Sequence, residues 1–191
     1  MTSLKSLLLL AVYISQAAAM PGNEIEARGC NKVRNAQVIT YSGPSYILSA
    51  DDWAARENAT LNNTPWDAPA GVPRITLEPG QLLDFGLTDL TKRDGNRFIG
   101  AFAGYGCFQG TFIAGVKNFG CGTGCITITT EALSGIVQQQ RHGGDYPTMD
   151  VWARGGCQGN RLQHFGVEST SSCTNVNNCS GYLSFIGYYS C

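Results

Sequence analysis

The hydrophobic positions of this chain fall in short runs separated by glycine, proline and small polar residues, which is the spacing of strands rather than of helices. Gln37–Tyr41 and Ser45–Leu48 are β-rich runs on either side of Ser42-Gly43-Pro44, and together they predict a hairpin closed by a tight turn. Arg74–Leu77 predicts a further strand, stopped by Pro79-Gly80. Ala50–Asn58 predicts a short helix, with Ser49 or Asp51 as its cap. At the amino end, Lys5 precedes the apolar run Leu7–Val12 and the small residues Ala17, Ala18 and Ala19. That order predicts a signal peptide over residues 1–19 and a mature chain starting at Met20. The run is shorter than the ~20 apolar residues that cross a bilayer. The next most apolar stretch, Phe98–Phe108, is interrupted by glycines, so no membrane partner is expected.

Compared with itself, the second half of the chain repeats. Residues 98–140 and 149–189 each carry an aromatic strand, a glycine-rich turn, a cysteine cluster and a closing Ser-Gly before a β-branched or aromatic strand. In the first copy these are Ala101-Phe102-Ala103-Gly104-Tyr105-Gly106-Cys107-Phe108-Gln109-Gly110, then Cys121 and Cys125, then Leu133-Ser134-Gly135-Ile136-Val137. In the second they are Val151-Trp152-Ala153-Arg154-Gly155-Gly156-Cys157-Gln158-Gly159, then Cys173 and Cys179, then Ser180-Gly181-Tyr182.

These motifs resemble the Greek-key repeats of βγ-crystallin-like secreted proteins, in which an aromatic strand runs into a folded turn and glycine takes a conformation that other residues resist. The resemblance covers residues 98–191 and implies a Greek-key β-sandwich there; with the strand runs ahead of it as an N-terminal β extension, the chain is expected to be mainly β and disulfide-stabilised, and its length fits one secreted domain over residues 20–191. A generic sandwich whose halves share only turn chemistry is the rival reading. Calcium-binding members of that group set paired acidic or amide residues before a serine or threonine pair. Glu131-Ala132-Leu133-Ser134 and Asn177-Asn178-Cys179-Ser180 do not, so no calcium, other metal or cofactor is expected.

Composition sharpens the picture. All eight cysteines, Cys30, Cys107, Cys121, Cys125, Cys157, Cys173, Cys179 and Cys191, follow the expected cleavage point. An even number in an oxidising compartment predicts disulfides, whose pairing the sequence leaves open. Asn58, Asn62 and Asn178 begin glycosylation sequons, which predicts exposed loops there. Charged residues make up 14% and the net charge is -1, which offers nucleic acid no electrostatic footing. Cleavage at the dibasic pair Lys92-Arg93 would remove Cys30 and leave an odd number of cysteines, so an intact chain is expected. In composition the chain looks like the small secreted cysteine-rich effectors of filamentous fungi. That likeness implies a host extracellular protein as partner, such as a papain-like cysteine protease held by inhibition.

The usual catalytic signatures, H-E-x-x-H, G-x-S-x-G and G-K-[ST], are absent from the sequence. One enzymatic alternative survives, a small secreted ribonuclease using His142 or His164, Glu131 or Glu168, and Arg154 or Arg161, because such chemistry needs groups that titrate near neutrality. The favoured expectation is a non-catalytic binding protein. Its contacts would be an exposed Trp66 and the turn Gly122-Thr123-Gly124, whose glycines would let a partner approach closely. A carbohydrate or cell-wall partner is the other binding alternative.

Overall fold

The computed structural model describes residues 36–43, 46–86, 97–139, 146–159, 161–166, 171–177 and 180–189, all within one compact unit, Val33–Cys191. In chain order the elements are β1 (Gln37–Thr40), α1 (Ala50–Leu61), β2 (Arg74–Leu77), β3 (Gln81–Asp84), β4 (Arg97–Phe102) and β5 (Phe112–Lys117). There follow β6 (Cys125–Ala132), β7 (Ser134–Gln139), β8 (Thr148–Trp152), β9 (Arg161–Phe165), β10 (Ser171–Asn175) and β11 (Tyr182–Tyr188). The strands form two sheets, ordered β1-β3-β5-β4-β7-β10 and β2-β6-β11-β8-β9. The protein is therefore a mainly β, disulfide-stapled, two-sheet sandwich. Among the described residues no helix is long and apolar enough to cross a membrane.

The repeat explains the strand order. In the first copy β5, β4 and β7 stay together in the first sheet, while β6 crosses to pair with β11. In the second copy β9, β8 and β11 stay together in the other sheet, while β10 crosses to pair with β7. Neither copy can bury its inner face alone, and the exchange of one strand each locks the two faces over a shared core. Ile99, Ala101 and Val137 of one sheet and Ile126, Val151 and Phe185 of the other belong to that core. Two disulfides reinforce the exchange at matching places: Cys107 pairs with Cys173, and Cys125 with Cys157, each joining one copy to the other.

The folded turns after β4 and β8 carry the strongest correspondence. Gly106 and Cys107 have φ of 76° and 52°, and Gly156 and Cys157 have 78° and 53°. A cysteine in the left-handed region costs about 1–2 kcal/mol, so each turn needs a holder. The Cys107 amide donates to Ser134 Oγ at 3.1 Å, and that hydroxyl donates to Gly104 O at 2.6 Å. The Cys157 amide donates to Ser184 Oγ at 2.9 Å, and that hydroxyl donates to Arg154 O at 2.5 Å. The structural partner of Ser134 is thus Ser184, whereas the sequence pattern aligns it with Ser180.

The N-terminal extension differs from expectation. β1 is a strand, but it pairs parallel with β3, Gln37 opposite Gln81, and residues 46–48 form no strand. The expected hairpin would keep both runs on one sheet. Instead Ile39 and Tyr41 pack on the core between the sheets, while Tyr46 and Leu48 pack on a second cluster outside it. Pro44 and Ser45 lie outside the described residues, as do the signal segment, Cys30, Lys92-Arg93, Asn178, Cys179 and Cys191.

The helix starts as its sequence predicts. Ser49 is extended, with ψ of 159°, and its side chain accepts the Asp52 amide at 3.1 Å. Asp51 and Asp52 sit favourably in the first turn. The helix runs beyond Asn58 to Leu61 because Arg56 and Ala59 are buried beneath it. Asn58, expected both at the end of the helix and in an exposed sequon segment, is exposed on the helix rather than in a loop, and its carbonyl and side chain both accept from the Asn62 amide group. α1 and residues 64–73 cover the outer face of the second sheet around Trp152, Ile186 and Tyr188.

Candidate functional site

The turn between β4 and β5 is built of two single-turn 3₁₀ segments, Tyr105–Cys107 and Gln109–Thr111. Besides the Cys107–Cys173 bridge and the Ser134 bonds, the Gly106 amide donates to Asn175 Oδ1 at 2.8 Å, and Thr111 Oγ1 donates to Phe108 O at 2.8 Å. On this pinned backbone Tyr105 is 50% exposed and Phe108 71% exposed. The matching turn of the second copy has Gly155 and Gln158 at the same places, with the same backbone at its glycine and cysteine. The same backbone thus forms in the second copy without aromatic residues at the two positions that are exposed here.

The residues expected to face a partner lie elsewhere. Trp66 is not an exposed anchor: it is 9% exposed, its ring lies 5.9 Å from that of Trp152 and 6.3 Å from that of Tyr188, and its carbonyl accepts Trp152 Nε1 at 2.9 Å. Gly122, Thr123 and Gly124 are buried too. A side chain at Gly122 would come within 2.6 Å of Tyr46 O, and one at Gly124, where φ is +71°, within 2.8 Å of Pro73 O. Thr123 Oγ1 accepts the Gly187 amide at 2.9 Å and donates to Gly124 O at 2.8 Å. The glycines do permit close approach, but what approaches is the chain's own backbone.

A buried ionic cluster joins α1 to the second sheet. Asp150 of β8 is fully buried; Arg56 Nε donates to its Oδ2 at 2.7 Å, His164 Nδ1 meets its Oδ1 at 2.7 Å, and Arg161 Nη1 lies 3.6 Å from Oδ1. Arg56 Nη2 also donates to Thr148 Oγ1 at 2.9 Å, and Arg161 Nη1 to Thr60 Oγ1 at 2.8 Å. Burial by itself would raise the Asp150 pKa, but the hydrogen bond from His164 and the charges of Arg56, His164 and Arg161 outweigh it and hold the carboxyl below its ordinary value. The Arg56 guanidinium lies 4.0 Å from the centre of the Tyr188 ring and 5.1 Å from that of Trp53.

Of the residues considered for catalysis, the structure brings together His164 and Arg161, both on β9. Glu131, on exposed β6 surface, accepts the Gly181 amide at 2.6 Å, and Arg154 is exposed in the turn after β8. His142 and Glu168 lie outside the described residues. Sequence reading missed Arg56 and Asp150, although an aspartate among Met149, Val151 and Trp152 is a signal that a buried charge needs a distant cation. Among the described residues no three histidine, cysteine, aspartate or glutamate side chains are grouped to hold a metal ion. No family model, curated protein or solved structure matches the chain, so the functional reading rests on this geometry.

Proposed function

We propose that this is a secreted, non-catalytic binding protein that engages a host extracellular protein through the turn between β4 and β5. The observation that carries this reading is the pair Tyr105 and Phe108, exposed on a turn whose counterpart folds without them. Aromatic side chains are enriched in binding hot spots. A turn fixed in advance by a disulfide loses less freedom on association. Such a rigid aromatic tip suits a partner with a deep apolar cleft, and a papain-like cysteine protease is the partner class of choice. Secretion is supported by the leader pattern and by the disulfide bonding of all five described cysteines. The strand exchange and the paired serine bonds support kinship with βγ-crystallin-like repeats.

The test uses the mature protein, Tyr105→Gly and Phe108→Gln, the residues that the second turn carries. Capture of partners from host extracellular fluid and inhibition of a papain-like protease are measured beside circular dichroism. Folded variants that lose capture by tenfold or more support the reading. Variants that capture and inhibit as the parent does, or a parent that does neither, overturn it.

A further inference from the structure

Two cavities open beside the helix, on the face of the second sheet turned away from the core. The first, of about 460 Å³, is lined by Trp53, Arg56, Glu57, Thr148, His164 and Tyr188, among others. The second, of about 380 Å³, includes Ile47, Leu48 and Ala50. Trp53, Tyr188 and Tyr189 line both, so the two spaces adjoin along one aromatic wall. Both volumes fall in the range of small-molecule sites. We propose that together they form a binding site for a neutral saccharide, with successive sugar rings on either side of that wall.

Three observations carry the assignment. The first is an unmet hydrogen bond: Tyr188 is 1% exposed, and its hydroxyl has no partner among the described residues. It stands out because Arg56, Thr148, Asp150, Arg161 and His164 around it are all hydrogen-bonded or ion-paired. A buried hydroxyl without a partner is a group awaiting one, and a sugar hydroxyl can both donate to it and accept from it.

The second is the wall itself. A pyranose ring presents a face of C–H groups, which an indole or phenol ring covers, and an equator of hydroxyls, which needs donors and acceptors in the same plane. Trp53 and Tyr189 are half-buried and line both cavities, Tyr189 with the Arg97 guanidinium 3.2 Å from its ring centre. Thr148, Glu57 and His164 supply polar groups beside them.

The third is charge. Arg56 and Glu57 are a cation and an anion on the same wall, and Asp150 and Arg161 behind it balance one another. Arg56 is already committed through Nε to Asp150 and through Nη2 to Thr148. Among the described residues that line the cavities Arg56 is the one guanidinium, and Glu57 stands beside it, so the lining favours neither an anionic nor a cationic ligand. A neutral polyhydroxylated ring fits all three observations.

This site is separate from the Tyr105–Phe108 turn and stands independently of it. Tryptophan fluorescence of the mature protein is titrated with triacetylchitotriose, cellotriose and laminaritriose, and with inorganic phosphate and trigalacturonate as anionic controls. We expect a saturable response to at least one neutral trisaccharide and none to the anions. Tyr188→Phe, which keeps the ring, is expected to weaken binding by tenfold or more while the unfolding midpoint stays at or above that of the parent, and Trp53→Ala to weaken it similarly by calorimetry. Phe108→Gln is expected to bind the sugar as the parent does. Silence towards all three neutral probes at millimolar concentration, tighter binding of an anion, or unchanged affinity in Tyr188→Phe overturns the proposal.

Discussion

Ser134 and Ser184 occupy equivalent posts in the two copies of the repeat, each accepting the amide of a cysteine held at positive φ, Cys107 at 3.1 Å and Cys157 at 2.9 Å. Each hydroxyl then donates to the carbonyl at the start of the same turn. Both serines are fully buried, so no water replaces these bonds when the hydroxyl is removed.

Ser134→Ala and Ser184→Ala should therefore each lower stability by about 1–3 kcal/mol, the range for stranding buried polar partners. Urea denaturation followed by tryptophan fluorescence measures this. Losses under about 0.5 kcal/mol would mean that the disulfides alone hold the turns.

Reduction should be costly, and unevenly so. Each native bridge in a small secreted domain contributes about 2–5 kcal/mol. Cys107–Cys173 spans 66 residues and Cys125–Cys157 spans 32, so replacing the first pair by serine should cost about 0.6 kcal/mol more than replacing the second. Thiol titration of the denatured protein should find no free cysteine.

Asp150 sets an acid limit. Its pKa lies below the ordinary carboxyl value in the folded state, so its stabilising contribution is complete above the unfolded value of about 3.9 and is lost as pH falls through the lower folded one. Asp150→Asn should lose about 3–5 kcal/mol at neutral pH, because Arg56 and Arg161 remain buried without their anion. Its stability should also change less steeply below pH ~4 than that of the parent. Denaturant midpoints taken between neutral pH and the acid end decide both points.

Trp66 and Phe108 should respond oppositely to truncation. Trp66→Ala opens a hole against Trp152 and Tyr188 and should cost about 3–5 kcal/mol. Phe108→Ala, at an exposed position, should stay within about 0.5 kcal/mol of the parent. Thermal or chemical unfolding of the two variants side by side tests the reassignment of Trp66 to the interior.

Much of the β architecture was legible because its signals are local. The strand Arg74–Leu77 is bounded by its own proline and glycine, and the Ser49 cap and the glycines before Cys107 and Cys157 act on neighbouring residues. Pairing was not legible, because hydrogen bonds between strands depend on which edge is free. β1 read as half of a hairpin from its flanking turn residues, yet β3 offered the edge that it joined. The Ser134–Ser184 equivalence was hidden in the same way, since Ser180-Gly181 copies the local motif while Ser184 occupies the equivalent position in space.

The candidate sites divide along the same line. The sequence by itself determined the cysteine-rich composition, the two-copy plan and the residue types available for binding, since these are properties of neighbours and counts. Only the tertiary structure decided that Trp66 and the Gly122–Gly124 turn belong inside, that Tyr105 and Phe108 stand outside, and that Arg56, Asp150 and His164 meet. Burial is a property of what packs on a residue from distant parts of the chain, and Arg56 reaches Asp150 only because α1 lies across the second sheet.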